Sequence, residues 1–391
     1  MIINNKRIAI VGGGPGGLTL ARLLQLAGAD VKVYERDAGK EVRVQGATLD
    51  LHEESGLEAL RRAGLIDAFY ANYRPHAGKL RVTDQNVDIK FDDHATEGLA
   101  ENRPEIDRGP LRHILLDSLN DDTVVWNSHF ISMDKSGEGW MLYFKNGSKA
   151  YADIVIAADG ANSKIRPIIT DIKPIYSGIT IIEGNVYHAE QNAPHLNHLT
   201  DGGKVFAMGN GQSLILSGKG DGSLSFYTGC KVSENWIKES GIDFNNKQQV
   251  LQWFKHAFSS WSNVWQELFL SDDLWFIPRP QYHYPLNQHW EPIANLTMIG
   301  DAAHRMPPYA GEGVNMAMQD AMELATHLTS NEYATVKEAI AAYEKQMLER
   351  ASAITKITLD STAMMHGEDA VNKLLDMFKG TEQEYNRNEQ A

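Results

Sequence analysis

Near its start the chain carries Gly12-Gly13-Gly14-Pro15-Gly16-Gly17, between apolar residues 8–11 and a run with apolar residues at helical spacing over 18–26. A glycine-rich turn joining a buried strand to a helix limits the chain to few folds. Gly12 permits the tight turn, Gly14 lets backbone approach a pyrophosphate, and Gly17 allows the helix to lie close on the strand. The N-terminus of that helix offers unpaired N–H groups and a positive dipole end to phosphates. Gly28 ends that helix and residues 31–34 return as a second strand, the minimum crossover of a parallel sheet. Glu35, at the end of the second strand and followed by Arg36, is placed to accept hydrogen bonds from ribose hydroxyls. Together these features predict a dinucleotide site. The alternative, a glycine turn beside a surface glutamate, leaves the strand-turn-helix-strand-acid order unexplained.

At 391 residues the chain exceeds the roughly 250–300 residues at which one core usually stops growing, so two domains are expected. A formal net charge of -14 argues against a nucleic-acid partner. The single cysteine, Cys230, excludes an internal disulfide framework and fits a reducing cytoplasm. Residues 1–7 lead straight into the first strand, and no apolar run is long enough to span a bilayer. A cytoplasmic, soluble protein without membrane association is the expectation.

Further along, residues 110–119 have one apolar helical face. From 124 to 155 short strands alternate with turns at Gly137-Glu138-Gly139 and Asn146-Gly147, the latter a strong hairpin signal. Residues 154–157 form a buried strand ending at Asp159-Gly160. Residues 175–230 alternate apolar and polar positions between glycine turns, which predicts an antiparallel sheet distinct from the parallel one. A helix over 247–258, a buried strand over 296–299, and helices over 314–328 and 336–364 follow, with a polar tail over 380–391. The expected fold is α/β, with a Rossmann-like nucleotide domain discontinuous in sequence (1–75, 100–172 and 285–330). A second, mostly antiparallel domain takes 76–99 and 173–284. The helical segment 331–391 would bridge the two, as in a monomer.

Two more motifs carry chemistry. Gly300-Asp301-Ala302-Ala303-His304 follows a buried strand, where Asp301 can hold polyol hydroxyls and the alanines let backbone approach a ligand. Gly311-Glu312-Gly313-Val314-Asn315 then brings a second helix N-terminus close, with a dipole that favours the anion of a reduced flavin. The other motif, Asp159-Gly160 with Lys164 and Arg166 behind it, reads on its own as a tight turn.

These three stretches, in this order, resemble the group A flavin monooxygenases, and the likeness covers essentially the whole chain. Within that family the nearest likeness is to the tetracycline-inactivating Tet(X)-type enzymes. It is carried by Val33-Tyr34-Glu35-Arg36-Asp37, Gly46-Ala47-Thr48-Leu49-Asp50-Leu51-His52, Pro104-Glu105-Ile106-Asp107-Arg108, Thr297-Met298-Ile299-Gly300-Asp301 and Met306-Pro307-Pro308-Tyr309-Ala310-Gly311. The resemblance implies tightly bound, non-covalent FAD, with NADPH or NADH as transient reductant and O2 as co-substrate. By position it implies FAD contacts from Asp50, Arg108 and Asp301, with Arg112 a further FAD candidate and Arg43 lying where NADPH approaches. The implied cycle passes oxygen from a flavin C4a-hydroperoxide to a nucleophilic carbon of a phenol or enol, with no catalytic side chain required beyond the flavin.

In the substrate domain, Glu183, Lys204 and Ser225 stand where the tetracycline enzymes have Gln, Arg and His, and Tyr309 stands for their phenylalanine near the flavin. Pro308, Tyr309, Gly311 and Met208 are candidates for lining the pocket. Lys in place of Arg loses bidentate geometry, so tetracycline is one candidate substrate among phenolic and enolic compounds. Other chemistries lack their signatures. There is no H-E-x-x-H or Cys/His metal spacing and no G-x-S-x-G elbow. His304 is expected to pack or cap, Cys230 to be a small buried hydrophobe, and Trp253, Trp261, Trp265, Trp275 and Trp290 to pack cores. Trp275-Phe276-Ile277-Pro278 resembles part of the halogenase W-x-W-x-I-P pattern, with Asp273 in place of the first Trp. Another FAD enzyme such as a halogenase, and a flavin- or ligand-binding protein without turnover, remain the alternatives.

Overall fold

The computed structural model describes residues 1–42, 47–94 and 103–378. Arg7–Val11 forms the central strand of a five-stranded parallel sheet whose order is Leu296–Met298, Ile154–Ala157, Arg7–Val11, Asp30–Tyr34, Val124–Val125. Of the three inner strands, residues 8–11 and Ile154–Ala157 are continuous apolar runs buried on both faces, whereas Asp30–Tyr34 alternates, with Val31 and Val33 buried and Asp30 exposed. Pro15–Leu26 begins with proline in its first turn and buries Leu18, Leu20, Ala21 and Leu24 against the sheet. Gly28, at φ +80°, takes the left-handed position that stops it. The second helix of this layer, Gly313–Thr329, is one residue longer at each end than its apolar spacing predicts. Behind it lies Val336–Met365, opened by a capping box between Thr335 and Glu338.

The expected hairpins form a three-stranded sheet of Phe130–Ser136, Gly139–Phe144 and Lys149–Ala152. Its second turn closes through Gly147 N–H to the Phe144 carbonyl, with Gly147 at φ +85°. Helix Arg108–Asp117 starts two residues before the predicted point, taking Gly109 and Pro110 into its first turn.

The second large sheet has seven strands in the order Leu274–His283, Ile175–Val186, Leu224–Lys231, Gln212–Gly218, Lys204–Gly209, Leu80–Asp84, Ile89–Asp92. All neighbours are antiparallel except Lys204–Gly209 with Leu80–Asp84. Strand alternation gives the sheet two different faces. One buries Leu214, Leu216, Phe226 and Val205 under Phe254, Phe258, Trp261, Trp265 and Phe269, the core packing expected of Trp261 and Trp265. The other face looks toward the parallel-sheet domain and the C-terminal helices. Among the described residues no helix is long and apolar enough to cross a membrane.

Candidate functional site

At the first glycine turn, Gly12 has φ +113°, and a Cβ there would stand 2.2 Å from the Ala158 carbonyl oxygen. Gly17 lies equally close to the Gly12 carbonyl, so both positions are closed to side chains by the fold itself. Gly14 differs: nothing lies within 4 Å of where its Cβ would be. That open side faces out at a helix start whose N-cap makes no side-chain hydrogen bond, a cradle suited to a pyrophosphate. Glu35 is buried. Its Oε2 accepts from Gly13 N–H at 2.6 Å and its Oε1 from Asp37 N–H at 2.9 Å, tying the strand end to the turn. Arg36 beside it is exposed.

The second motif closes on the first. Gly300 takes φ +60° and opens the short helix Asp301–His304, with Asp301 exposed at its first position. A Cβ on Gly300 would lie 3.0 Å from Ala317 Cβ, and one on Gly16 would lie 2.8 Å from the Ala317 carbonyl oxygen. Two helix N-termini about 300 residues apart in sequence are thus brought into contact, with the Asp301 turn beside them. Asp320 fixes this arrangement from behind. Its Oδ2 accepts from Gly300 N–H at 2.8 Å and lies 2.6 Å from His304 Nε2, while Oδ1 takes Arg350 Nη2 at 2.6 Å. His304 is therefore a buried partner of a carboxylate.

The Asp159-Gly160 turn sits against Gly12, and burial raises the Asp159 carboxyl. Arg166, buried behind it, donates to the Ala302 and Ala303 carbonyls at 3.0 and 2.8 Å, linking this motif to the Asp301 turn. Burial holds its guanidinium at about 10, and it stacks over Tyr284 at 3.4 Å.

Asp50 reaches the same place from a two-stranded ribbon of Leu49–Asp50 with Glu105–Ile106. Its carboxylate lies 3.4 Å from where a Gly311 side chain would start. Burial pushes the Asp50 carboxyl up, but the His52 hydrogen bond with the Lys204 and Arg103 charges outweighs it and holds the group below its ordinary value. Asn315 donates to the Asp50 carbonyl at 2.9 Å and accepts from His52 N–H at 2.9 Å, anchoring the helix start with Gly313 and Val314 to this segment. Arg108 is exposed at the start of its helix. Arg112 is engaged with protein: it donates to the Lys40 carbonyl and pairs with Asp37 at 3.1 Å. Arg43 lies outside the described residues.

Cross-strand pairing puts Glu183, Lys204, Met208 and Ser225 on one face of the large sheet, in the rows Glu183–Tyr227, Asn185–Ser225–Ser217–Lys204 and Gly229–Ser213–Met208. Glu183 and Lys204 are not bare charges. Glu183 pairs with Arg279, and Lys204 with Glu105, both at short contact. Burial lowers the Lys204 ammonium, yet the Glu105 and Asp50 carboxylates prevail and keep it charged. Ser225 Oγ and Asn185 Nδ2 are buried with no hydrogen-bond partner among the described residues. Met208 is buried in an apolar cluster with Val82, Met365 and Tyr309. Pro308 and Gly311 are exposed, and Tyr309 is half-buried between them. Sequence reasoning missed Asn185, Arg279 and Glu105. Asn185 alone had a usable signal, a polar residue two positions from Glu183 on the same strand face. Among the described residues no cluster of three or more His, Cys, Asp or Glu is arranged for a metal.

The description "FAD binding domain" fits residues 5–207 and 293–358, more than half of the chain. The chain belongs to this FAD-binding family. It is a flavin-dependent monooxygenase, as its relatives in the family are named. Monooxygenase penA of Penicillium thymicola is 27% identical over 94% of this chain and 97% of its own length. The 6-hydroxynicotinate 3-monooxygenase of Pseudomonas fluorescens is 27% identical over 93% of each chain. Among solved structures, tetracycline destructase Tet(55) superposes with a TM-score of 0.74 at 19% identity, covering 93% of this chain and 90% of that one, a likeness of fold. The family's cofactor matches what the site offers: an open glycine turn at one helix start, a second helix start against it, and an exposed Asp301 beside both.

Proposed function

We propose that this monooxygenase uses NAD(P)H and O2 to hydroxylate a small phenolic or enolic substrate, with a tetracycline among the candidates. The observation that supports the reading is the close approach of Gly16 and Gly300 to Ala317, which brings two helix starts and the Asp301 turn together. When bound, FAD would supply the redox chemistry, carrying electrons from NAD(P)H to O2, one atom of which would go to the substrate and the other to water.

The chain's own residues bind, orient and exclude water. Backbone N–H groups around Gly14 take the pyrophosphate, and Glu35 with Arg36 takes the adenosine ribose. Asp50, Arg108 and Asp301 hold the rest of FAD, with Arg112 supporting the loop at Asp37, and the resemblance assigns NADPH contact to Arg43. The helix start at Gly311, Gly313, Val314 and Asn315 favours negative charge on the reduced ring. In this reading residues 76–99 and 173–284 form the substrate domain, and its polar face lies over the flavin. Ser225 Oγ and Asn185 Nδ2 would gain their missing partners from substrate oxygens, since a buried donor left unpaired costs about 1–3 kcal/mol. Glu183 and Lys204, each neutralised by a protein partner, would shape the pocket and fix its polarity. Pro308 and the Tyr309 ring give it an apolar wall, backed by the buried Met208, that keeps water out.

The test is purified protein with NADPH, screened against tetracycline, simple phenols and hydroxypyridines by mass spectrometry. The reading expects NADPH oxidation stimulated by one of these classes, with a product heavier by one oxygen atom. Oxygenation of a phenol with tetracycline unchanged would remove the narrower candidate. NADPH oxidation indifferent to every compound would overturn the reading.

A further inference from the structure

Three polar side chains from distant parts of the chain meet over Gly229. Ser213 stands on the strand Gln212–Gly218, Tyr309 on the 3-10 turn Pro308–Ala310, and His366 just beyond the long helix Val336–Met365. Ser213 Oγ lies 3.0 Å from His366 Nε2, Tyr309 Oη 3.3 Å from the same nitrogen, and the two oxygens are 3.4 Å apart. A side chain on Gly229 would begin 2.4 Å from both oxygens and 2.5 Å from the nitrogen. The triangle exists because this strand position carries no Cβ, and glycine inside a strand is where such close approach is expected.

The protons in the triangle can be assigned. His366 Nδ1 is 2.8 Å from the Thr362 carbonyl, which can only accept, so Nδ1 carries the hydrogen. Burial holds the imidazole down at about 4, with Lys231 adding to the effect, so the ring is neutral and Nε2 is a bare acceptor. Burial pushes the neighbouring Tyr309 phenol and Cys230 thiol up, and both stay neutral. Two hydroxyl protons therefore share one nitrogen lone pair. In one arrangement Ser213 donates to His366 and Tyr309 donates to Ser213. In the other, Tyr309 donates to His366 and Ser213 donates to Tyr309. Both consume the Tyr309 proton inside the triangle and leave its oxygen with a lone pair free to accept.

We propose that the triangle presets Tyr309 Oη as a hydrogen-bond acceptor in the substrate cavity, favouring substrates that bring an O–H or N–H donor to that point. The inference rests on the reading that the Pro308–Ala310 turn borders that cavity. His366 is a positioning residue and not a proton sink: an imidazole titrating near 4 cannot hold a proton drawn from a phenol of pKa about 10.

The experiment uses the full FAD-loaded chain and two probes of the same ring, phenol and anisole, with binding read from the flavin absorbance in the absence of NADPH. Wild type is expected to prefer phenol by about fivefold. Tyr309→Phe equalises the two probes. Ser213→Ala keeps most of the preference, because Tyr309 then donates straight to His366. Nitrogen-15 spectra should show His366 protonated at Nδ1 and bare at Nε2. A phenol preference that survives intact in Tyr309→Phe overturns the proposal, as does a proton on Nε2. So does a flavin spectrum that phenol never perturbs, because the acceptor would then face no ligand. A protein that discriminates as expected yet never consumes NADPH would sink the proposed function and leave the triangle standing.

Discussion

Glu344 is buried on the long C-terminal helix, where its Oε1 accepts from Thr297 Oγ1 at 2.7 Å. Burial raises its carboxyl from an ordinary 4.5 to about 7. The folded protein therefore holds a proton that the unfolded chain has already released. That stabilisation is complete below about 4.5 and lost as pH rises through about 7. Glu344→Gln, which never ionises, should gain on wild type by roughly 2–3 kcal/mol between pH 5 and pH 8, read as a widening gap in thermal unfolding. A gap that does not change with pH would remove the account. Single residues were legible in the sequence where their role is local. Glu35 directly follows a buried strand and Asp301 comes just after one, and the structure leaves Glu35 at the strand end and Asp301 at the first position of the short helix beyond it. The partners of Lys204 and Glu183 were not legible: Glu105 and Arg279 lie 99 and 96 residues away, and it takes strand pairing for Arg279, and the approach of a separate two-stranded ribbon for Glu105, to bring them near.

The glycine turn separates structural from ligand-facing positions within one element. A Cβ on Gly17 would overlap the Gly12 carbonyl, so Gly17→Ala should destabilise the FAD-free protein by about 1–3 kcal/mol. Gly14→Ala meets no protein atom within 4 Å, so the FAD-free protein should melt as wild type does while FAD affinity falls about tenfold. Calorimetry of the FAD-free proteins followed by FAD titration checks both. Equal loss of stability in the two variants would mean the open side of Gly14 is not a phosphate cradle. Elements of this kind were legible because period and punctuation are short-range. Helix Val336–Met365 and strand Leu296–Met298 fall within one residue of their predicted ends. Glu183, Lys204 and Ser225 came from the family resemblance alone, and it is the register of three separate strands that puts them on one face. The Ser213–Tyr309–His366 triangle was not legible, since it joins a strand, a turn and a helix end whose approach depends on how the two sheets face each other. Gly229 within a strand was its one sequence trace.

Across the whole molecule, one buried charge cluster ties the C-terminal helix to the Asp301 turn. Arg350 pairs with Asp320 at 2.6 Å and with Glu323 at 2.5 Å, while Asp320 holds Gly300 and His304. Removing the arginine takes away the cation shared by two buried carboxylates, so Arg350→Ala should cost about 3–5 kcal/mol in urea unfolding and loosen FAD as well. Loss of stability with FAD affinity intact would show that the cluster does not support the site. The central claim is that the Gly14 helix start and the Asp301 turn hold opposite parts of one FAD. The most direct test titrates FAD and ADP separately into FAD-free wild type, Gly14→Ala and Asp301→Ala. The account predicts one FAD per chain, FAD weakened by both substitutions, and ADP weakened by Gly14→Ala alone. ADP and FAD binding to the same chain at once, or FAD affinity untouched by Asp301→Ala, would contradict it.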